Sequence, residues 1–125
     1  MRDDARIRVG TLNLRNTSDR WPERYPLLIE QLSALNPDII GFQELRRPPL
    51  QGRRIERGAN AVTLEGQRRY RLYRQWKTGL RWLWEGLAIL TELPVIEHER
   101  LDLRGGNRIA QRVRVALSGG RVLDF

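Results

Sequence analysis

Two short apolar runs decide the fold of this chain, IRVGTLNL at residues 7–14 and DIIGFQEL at residues 38–45. Between them, apolar side chains recur at helical spacing: Tyr25, Leu28, Ile29, Leu32 and Leu35. A strand, a crossover helix and a second strand normally make parallel neighbours in one sheet. Asn13 and Glu44, near the ends of the two runs, should then lie side by side at the carboxyl ends of the strands, where open α/β sheets place their sites. A glutamate offers hard oxygen ligands to Mg²⁺, and an asparagine can bond a phosphate oxygen or a metal-bound water.

The rest of the chain predicts a second helix and a series of strands. The Pro48-Pro49 pair breaks the chain, and a helix with a thin apolar face is predicted over residues 50–64. Strands are predicted at residues 70–76, 86–91, 95–103, 108–117 and 121–125. The fold class is therefore α/β, with a mixed sheet and helices on one face.

Strand alternation assigns the faces of the first two strands. On the first strand, one face carries Ile7, Val9, Thr11 and Asn13. On the second strand, one face carries Ile40, Phe42 and Glu44. We expect the opposite face to pack on the helices through Leu12, Leu14, Ile39 and Leu45.

Four segments carry a family resemblance. Residues 7–14 resemble the "xRVxTxNL" opening of the endonuclease/exonuclease/phosphatase superfamily, which has the DNase I fold, and residues 36–44 (NPDIIGFQE) resemble its "PDIIxxQE" motif. Residues 85–91 (EGLAILT) are similar to its "GxAILS" strand, and residues 108–115 resemble the strand that follows. The resemblance implies half of a four-layer α/β sandwich of the DNase I type, in which residues 1–125 form a single, incomplete domain.

The resemblance also implies a chemistry and a set of site residues. It implies Mg²⁺- or Mn²⁺-dependent hydrolysis of a phosphoester by a nuclease or phosphodiesterase, with Glu44 as metal ligand and Asn13 as metal or phosphate contact. Arg112, Trp82 and Trp84 would contact the substrate. Without the family, Glu44 is better explained as the partner of an arginine such as Arg46 or Arg112, and the alternative for Asn13 is a capping or turn residue at a strand end.

The later motifs of the family are not found in the sequence. These are its catalytic histidine, its Asp-x-Asn pair and its terminal Asp-His pair. We therefore expect negligible catalysis from this chain alone. In the family the Asn13 face packs against a second sheet from the C-terminal half, so we expect that sheet to be absent and the apolar face to require a C-terminal half-domain or a second copy. The alternatives are a non-catalytic nucleic-acid-binding module and a truncated remnant.

Composition limits the classes of protein and partner. The chain of 125 residues fits one small domain, has no cysteine and carries a formal net charge of +8. This charge predicts an anionic partner, a phosphate-bearing substrate and nucleic acid among them, or else arginines scattered over a solvated surface. No secretion signal is evident, and the most apolar window, residues 80–90, is too short for a transmembrane segment, so a cytoplasmic location is expected.

The remaining candidates have plain structural explanations. His98, between two glutamates, is expected on a solvated surface. Arg108, Arg112 and Arg114 share the outward face of a strand or else form a phosphate clamp. Tyr70, Tyr73 and Trp76 among many arginines are core aromatics or else a base-stacking surface. The substrate stays open among DNA, RNA, a phospholipid headgroup and an inositol phosphate.

Overall fold

The first three elements form the expected β-α-β unit. The computed structural model describes residues 6–47, 50–63, 70–77, 85–105 and 108–125. Strand β1 (Val9–Asn13) and strand β2 (Ile39–Arg46) are parallel and joined by helix α1 (Trp21–Leu35). Pro22 lies in the first turn of α1, where a missing N–H costs little. The helix ends at Asn36, whose left-handed backbone lets its N–H donate to the Leu32 carbonyl at 2.9 Å.

Helix α2 and two antiparallel strands complete the first sheet. After α2 (Gln51–Ala61), strands β3 (Arg71–Trp76) and β4 (Glu85–Thr91) pair with each other. Strand β4 also pairs antiparallel with β2, so the strand order is β1-β2-β4-β3. The sheet is mixed and carries both helices on one face, as the sequence predicted.

A second sheet is formed by the C-terminal part of the chain. Strands β5 (Val95–Asp102), β6 (Ile109–Ala116) and β7 (Val122–Asp124) make an antiparallel sheet in the order β5-β6-β7. A short 3₁₀ turn at Ser118–Gly120 joins the last two. The expectation that the second sheet is absent was wrong, because the predicted meander leaves the first sheet and folds across it.

Two apolar cores hold the layers together. The larger lies between the helices and the first sheet, and its buried residues include Leu14, Leu28, Leu32, Ile40, Phe42, Leu45, Ile55 and Leu90. The smaller lies between the two sheets and consists of Ile39, Ile89, Leu93, Val113 and Val115, with half-buried neighbours such as Phe125. The face assignment of β2 was therefore wrong, since Ile40 and Phe42 pack on the helices and Ile39 packs on the second sheet.

Strand β1 is an outer strand of the first sheet. Among the described residues, β1 pairs only with β2, and its residues are mostly exposed, with Val9 at 57% and Leu12 at 39%. Exposed apolar side chains on an open strand edge are typical of a surface that a further segment covers. Within the described ranges, no helix is both long enough and apolar enough to cross a membrane.

Candidate active site

The parallel pairing brings the ends of β1 and β2 together, as predicted. Asn13 is the register partner of Gln43, so Asn13 and Glu44 lie one position apart on adjacent strands. The pairing continues past the strand end: the Leu14 N–H donates to the Gln43 carbonyl and the Asn16 N–H to the Glu44 carbonyl, both at 2.9 Å. The backbone around both candidate residues is thus fixed by hydrogen bonds.

Glu44 has an unusual backbone conformation. Its φ is +53°, a left-handed value that costs free energy in a residue with a side chain. The register between β2 and β4 shifts between Phe42 and Leu45, so Gln43 and Glu44 together occupy the space of one residue on β4. This β-bulge also explains why Phe42 and Leu45, three positions apart, are both buried in the helix-side core.

The side chain of Glu44 is half-buried. Among the described residues, its carboxylate makes no hydrogen bond and no ion pair, so the predicted alternative of an arginine partner finds no support there. A strained residue whose carboxylate has no neutralising partner within the described ranges is typical of a functional position rather than a structural one.

Asn13 forms a turn at the end of β1, which was the predicted alternative to a role in the site. Its amide oxygen accepts the Arg15 N–H at 2.7 Å, which is an Asx-type turn at the end of β1. The same hydrogen bond orients the amide and leaves the Nδ2 group, a donor, exposed. Next to it, Gln43 Nε2 donates to the Thr11 hydroxyl at 3.0 Å.

Gln51 connects the two loops that follow β1 and β2. It is buried, its Oε1 accepts the Arg46 N–H at 2.9 Å, and its Nε2 donates to the Asn16 carbonyl at 2.8 Å. Since Asn16 in turn bonds the Glu44 backbone, Gln51 fixes the position of the bulge. Sequence reasoning missed Gln51, and its only signal is a polar residue in the first turn of a helix, directly after the proline break.

A second acid lies at the same edge of the sheet. Glu85 opens β4 as the register partner of Arg46, and its carboxylate forms a half-buried ion pair with Lys77. Asn16 Nδ2 lies 3.5 Å from the other carboxylate oxygen of Glu85. Glu85 is thus neutralised by its own cation, which distinguishes it from Glu44. Glu85 lies in the EGLAILT segment that resembles a family strand, and it was not predicted as a site residue.

The described residues supply only part of a metal site. Within them, no group of three or more histidine, cysteine, aspartate or glutamate side chains is placed to hold a metal ion. The Glu44 carboxylate is a suitable hard ligand for Mg²⁺ or Mn²⁺, but one carboxylate does not fill the coordination sphere of either ion.

Arg112 lies in an ion-pair cluster on the second sheet. Its guanidinium contacts Glu97 at 2.7 Å, Glu99 at 2.9 Å and Asp124 at 2.6 Å. Hydrogen bonds to Glu97, Glu99 and Asp124 raise the pKa of Arg112 above its usual value. Hydrogen bonds from Arg114 and then Arg112 lower the pKa of Asp124 to about 2. The cluster gives Arg112 a structural role, and a substrate contact stays a prediction.

His98 lies between the two sheets and not on a solvated surface. Its ring packs edge-on against Tyr73 at 5.5 Å, and its Nε2 lies 2.8 Å from Gln111 Nε2 and 3.2 Å from Gln75 Nε2. With the amides in these orientations, Nε2 accepts and the ring is neutral. Burial lowers the pKa of His98, in agreement with this contact set. The predicted surface position was wrong because β5 turns this side chain towards β3.

The structure places the aromatic candidates in different environments or leaves them outside the described residues. Tyr70 is buried and donates its hydroxyl hydrogen bond to the Pro37 carbonyl at 2.8 Å, so it belongs to the core. Trp76 packs at the margin of the helix-side core. Trp82 and Trp84, the predicted substrate contacts, lie outside the described residues.

Comparison with known proteins gives a family and a fold. The family model described as "Endonuclease/Exonuclease/phosphatase family" matches residues 10–125. No curated protein matches the sequence.

Several solved structures share the architecture. An endonuclease/exonuclease/phosphatase family protein from Leptotrichia buccalis C-1013-b aligns with a TM-score of 0.81 at 14% identity, covering 95% of this chain and 53% of the other. The human Nocturnin catalytic domain with bound sulfate anion aligns at 0.69 and 19% identity, covering 94% and 47%. TDP2 from D. rerio, complexed with a single strand DNA product, aligns at 0.69 and 18% identity, covering 97% and 44%. These likenesses show the fold alone, and the chain spans about half the length of these three structures.

Proposed function

Because the chain belongs to the endonuclease/exonuclease/phosphatase family, we propose that it provides one half of a metal-dependent phosphoester hydrolase of the nuclease or phosphodiesterase type. The observation that carries the proposal is the environment of the Glu44 carboxylate. Its half-buried carboxylate has no partner among the described residues, and a strained bulge holds it where two parallel strands end. A carboxylate in that position is stabilised by a bound cation.

Mg²⁺ or Mn²⁺ is the proposed cofactor, with Glu44 as its ligand. When bound, such an ion polarises a phosphoryl oxygen and lowers the pKa of a coordinated water. Asn13 Oδ1 is occupied by the Arg15 N–H, so Nδ2 is the group that would donate to a phosphate oxygen. Gln51 and Asn16 keep the carboxylate-bearing backbone in place during the reaction.

A general base and further carboxylates must come from residues outside the described set. We propose that a C-terminal half-domain, or a second copy of the chain, covers the exposed edge of β1 and completes the site. Beside that edge, Asn13 lines an apolar cleft of about 160 Å³ between β1 and α1. Trp82 and Trp84 are proposed as a substrate wall, and a cytoplasmic location is proposed for the protein.

Metal binding and turnover test this proposal. In the domain completed by its second half, Glu44→Ala should lower the Mg²⁺ affinity measured by calorimetry by roughly 10- to 100-fold or more, since even outer-shell changes reach that range. Hydrolysis of bis(p-nitrophenyl) phosphate should fall with it. Glu30→Ala, at an exposed position of α1, is the matched control and should change neither. Unchanged Mg²⁺ affinity in Glu44→Ala would show that the ligand assignment is wrong.

The second candidate function is a non-catalytic nucleic-acid-binding module. It is favoured by four arginines on the helix side of the first sheet, Arg47, Arg53, Arg57 and Arg74, which form no ion pair among the described residues. Binding of a nucleic acid without metal, with equal affinity in Glu44→Ala, and no turnover in the completed domain would support this alternative.

A further inference from the structure

Four arginines lie together on the helix side of the first sheet: Arg74 on β3, Arg53 and Arg57 on α2, and Arg47 directly after β2. Arg53, Arg57 and Arg74 line a cleft of about 290 Å³ between α2 and the outer strand β3, together with Glu56 and Leu72. Beside the cleft, two guanidinium groups contact the Trp76 ring: that of Arg74 lies 5.9 Å and that of Arg47 lies 5.7 Å from the ring centre. The contacts therefore connect Arg47, Arg53, Arg57 and Arg74 into one arginine strip.

The positive charge of the arginine strip is only partly neutralised among the described residues. Three arginines line the cleft and Glu56 is the one acid that lines it; a Glu56 carboxylate oxygen accepts the Leu72 N–H at 2.6 Å. In the part of the chain that the structure describes, none of the four guanidinium groups forms an ion pair. Arg53 and Arg57 are one helical turn apart, a spacing at which like charges repel. A bound anion would relieve this repulsion.

The arginine strip begins at the candidate active site. Arg47 follows Glu44 by three residues at the end of β2, and Trp76 is the register partner of Gly86, next to Glu85. From there the strip runs along β3 and α2, away from the end of β1. A polymer that occupies the strip would therefore have one end close to Glu44.

We propose that the arginine strip binds successive phosphates of a single-stranded nucleic acid whose scissile phosphodiester lies at Glu44. The part of this statement about Glu44 rests on the proposed function. Arginine forks match phosphate oxygens, and Arg53 and Arg57 are about 6 Å apart along the helix axis, a spacing that suits neighbouring phosphates of an extended strand.

Other phosphate-bearing partners fit the strip less well. An inositol phosphate is a compact ligand and would use one end of the strip. A membrane surface would need exposed apolar side chains among the arginines, whereas the apolar members, Leu72 and Trp76, are half-buried against the core. The Trp76 contacts hold Arg47 and Arg74 in place, which favours an ordered site over a diffuse positive surface.

Binding of a labelled oligonucleotide tests the proposal. Fluorescence anisotropy of fluorescein-labelled dT12 and U12 is measured in EDTA at several KCl concentrations, with the chain and with the triple variant Arg53→Gln/Arg57→Gln/Arg74→Gln. We expect the triple variant to bind at least 10-fold more weakly at low salt. The slope of log affinity against log salt should fall in magnitude by about 2, at roughly 0.7 per phosphate contact for single strands.

A matched control separates the strip from net charge. Arg104→Gln/Arg108→Gln/Arg121→Gln removes the same number of charges from exposed positions of the second half of the chain, and it should keep most of the affinity. Arg53→Lys/Arg57→Lys/Arg74→Lys keeps the charge and should bind closer to the unchanged chain. If the glutamine triple variant does not fold, Arg57→Gln at an exposed position of α2 gives the same comparison at smaller amplitude.

The outcomes distinguish this proposal from the proposed function. Equal weakening of oligonucleotide binding in the strip variant and the control variant would refute the proposed role of the strip. Binding to phosphatidylserine vesicles is measured in parallel, and a strip variant that loses vesicle binding but keeps oligonucleotide binding would also refute it. Glu44→Ala should not weaken oligonucleotide binding in EDTA, because without a metal ion the Glu44 carboxylate only repels the phosphate. A failure of Glu44 to bind Mg²⁺ would therefore refute the proposed hydrolase without refuting phosphate binding by the strip. Likewise, a strip that does not bind oligonucleotides would leave the metal-binding role of Glu44 untouched.

Discussion

Replacing the buried Gln51 by leucine should destabilise the fold by about 2 kcal/mol and loosen the candidate site. Leucine is close in size, so little cavity forms, but both side-chain hydrogen bonds disappear. The Arg46 N–H and the Asn16 carbonyl are then left without their partner. Each such loss costs about 1–3 kcal/mol when the group is buried, and the lower value applies because both residues are partly accessible to water.

The assay is urea unfolding followed by circular dichroism. We expect a lower midpoint at an unchanged m-value, which identifies a loss of stability rather than a change in compactness. The Asn16 amide, which bonds the Glu44 carbonyl, should exchange with deuterium faster than in the unchanged protein. Gln31→Leu, at an exposed position of α1, is the control and should stay within about 0.5 kcal/mol. A Gln51→Leu variant as stable as Gln31→Leu would refute the positioning role.

Four further predictions concern one strained position, one crowded position and two titrating positions. Glu44→Gly should be more stable to urea than Glu44→Ala by about 1 kcal/mol, because glycine accepts the left-handed backbone, and equal midpoints would contradict the strain. Gly86→Ala should lower the free energy of unfolding by about 1–3 kcal/mol, since its Cβ would overlap the Gln75 carbonyl and the Trp76 ring; an unchanged urea midpoint would contradict this. The pKa of His98 is lowered from 6.5, so below about pH 6.5 the unfolded chain binds more protons than the folded protein and the free energy of unfolding should fall. Urea titrations at pH 7 and pH 5 measure this fall, and His98→Gln should remove it. The pKa of Asp124 is lowered from 3.8 to about 2, so the stability that its ion pairs contribute should be present above pH 3.8 and be lost as the pH falls from about 3.8 to about 2. In the His98→Gln background, a urea midpoint that already falls above pH 5 would contradict the assignment.

The order and type of the elements could be predicted from the sequence, and the faces of β2 could not. Turn residues and apolar periodicity located each strand and helix to within a few positions. Strand β2, however, is buried on both sides, with Ile39 facing the second sheet and Ile40 facing the helices, so no polar face marks its orientation. The bulge at Glu44 then interrupts the alternation on which the face argument depends.

Of the candidate site, only the residues that lie at the ends of β1 and β2 could be predicted from the sequence. Parallel pairing of β1 and β2 was enough to place Asn13 near Glu44. The role of Gln51 depends on a contact between two loops that no local pattern encodes. The position of His98 depends on which way the meander folds across the first sheet, and the same fold created the sheet that was expected to be absent.

A net charge of +8 predicts an anionic partner without saying which arginines bind it, and the structure separates them by their neighbours. Arg112 and Arg114 are surrounded by carboxylates, so their hydrogen-bonding groups are already used within the fold. The arginine strip has the opposite character, because three arginines share the single carboxylate of Glu56 at the cleft and Arg53 and Arg57 repel each other. Replacing Arg112 should therefore cost stability, whereas replacing the strip should cost affinity for phosphates and leave the fold intact.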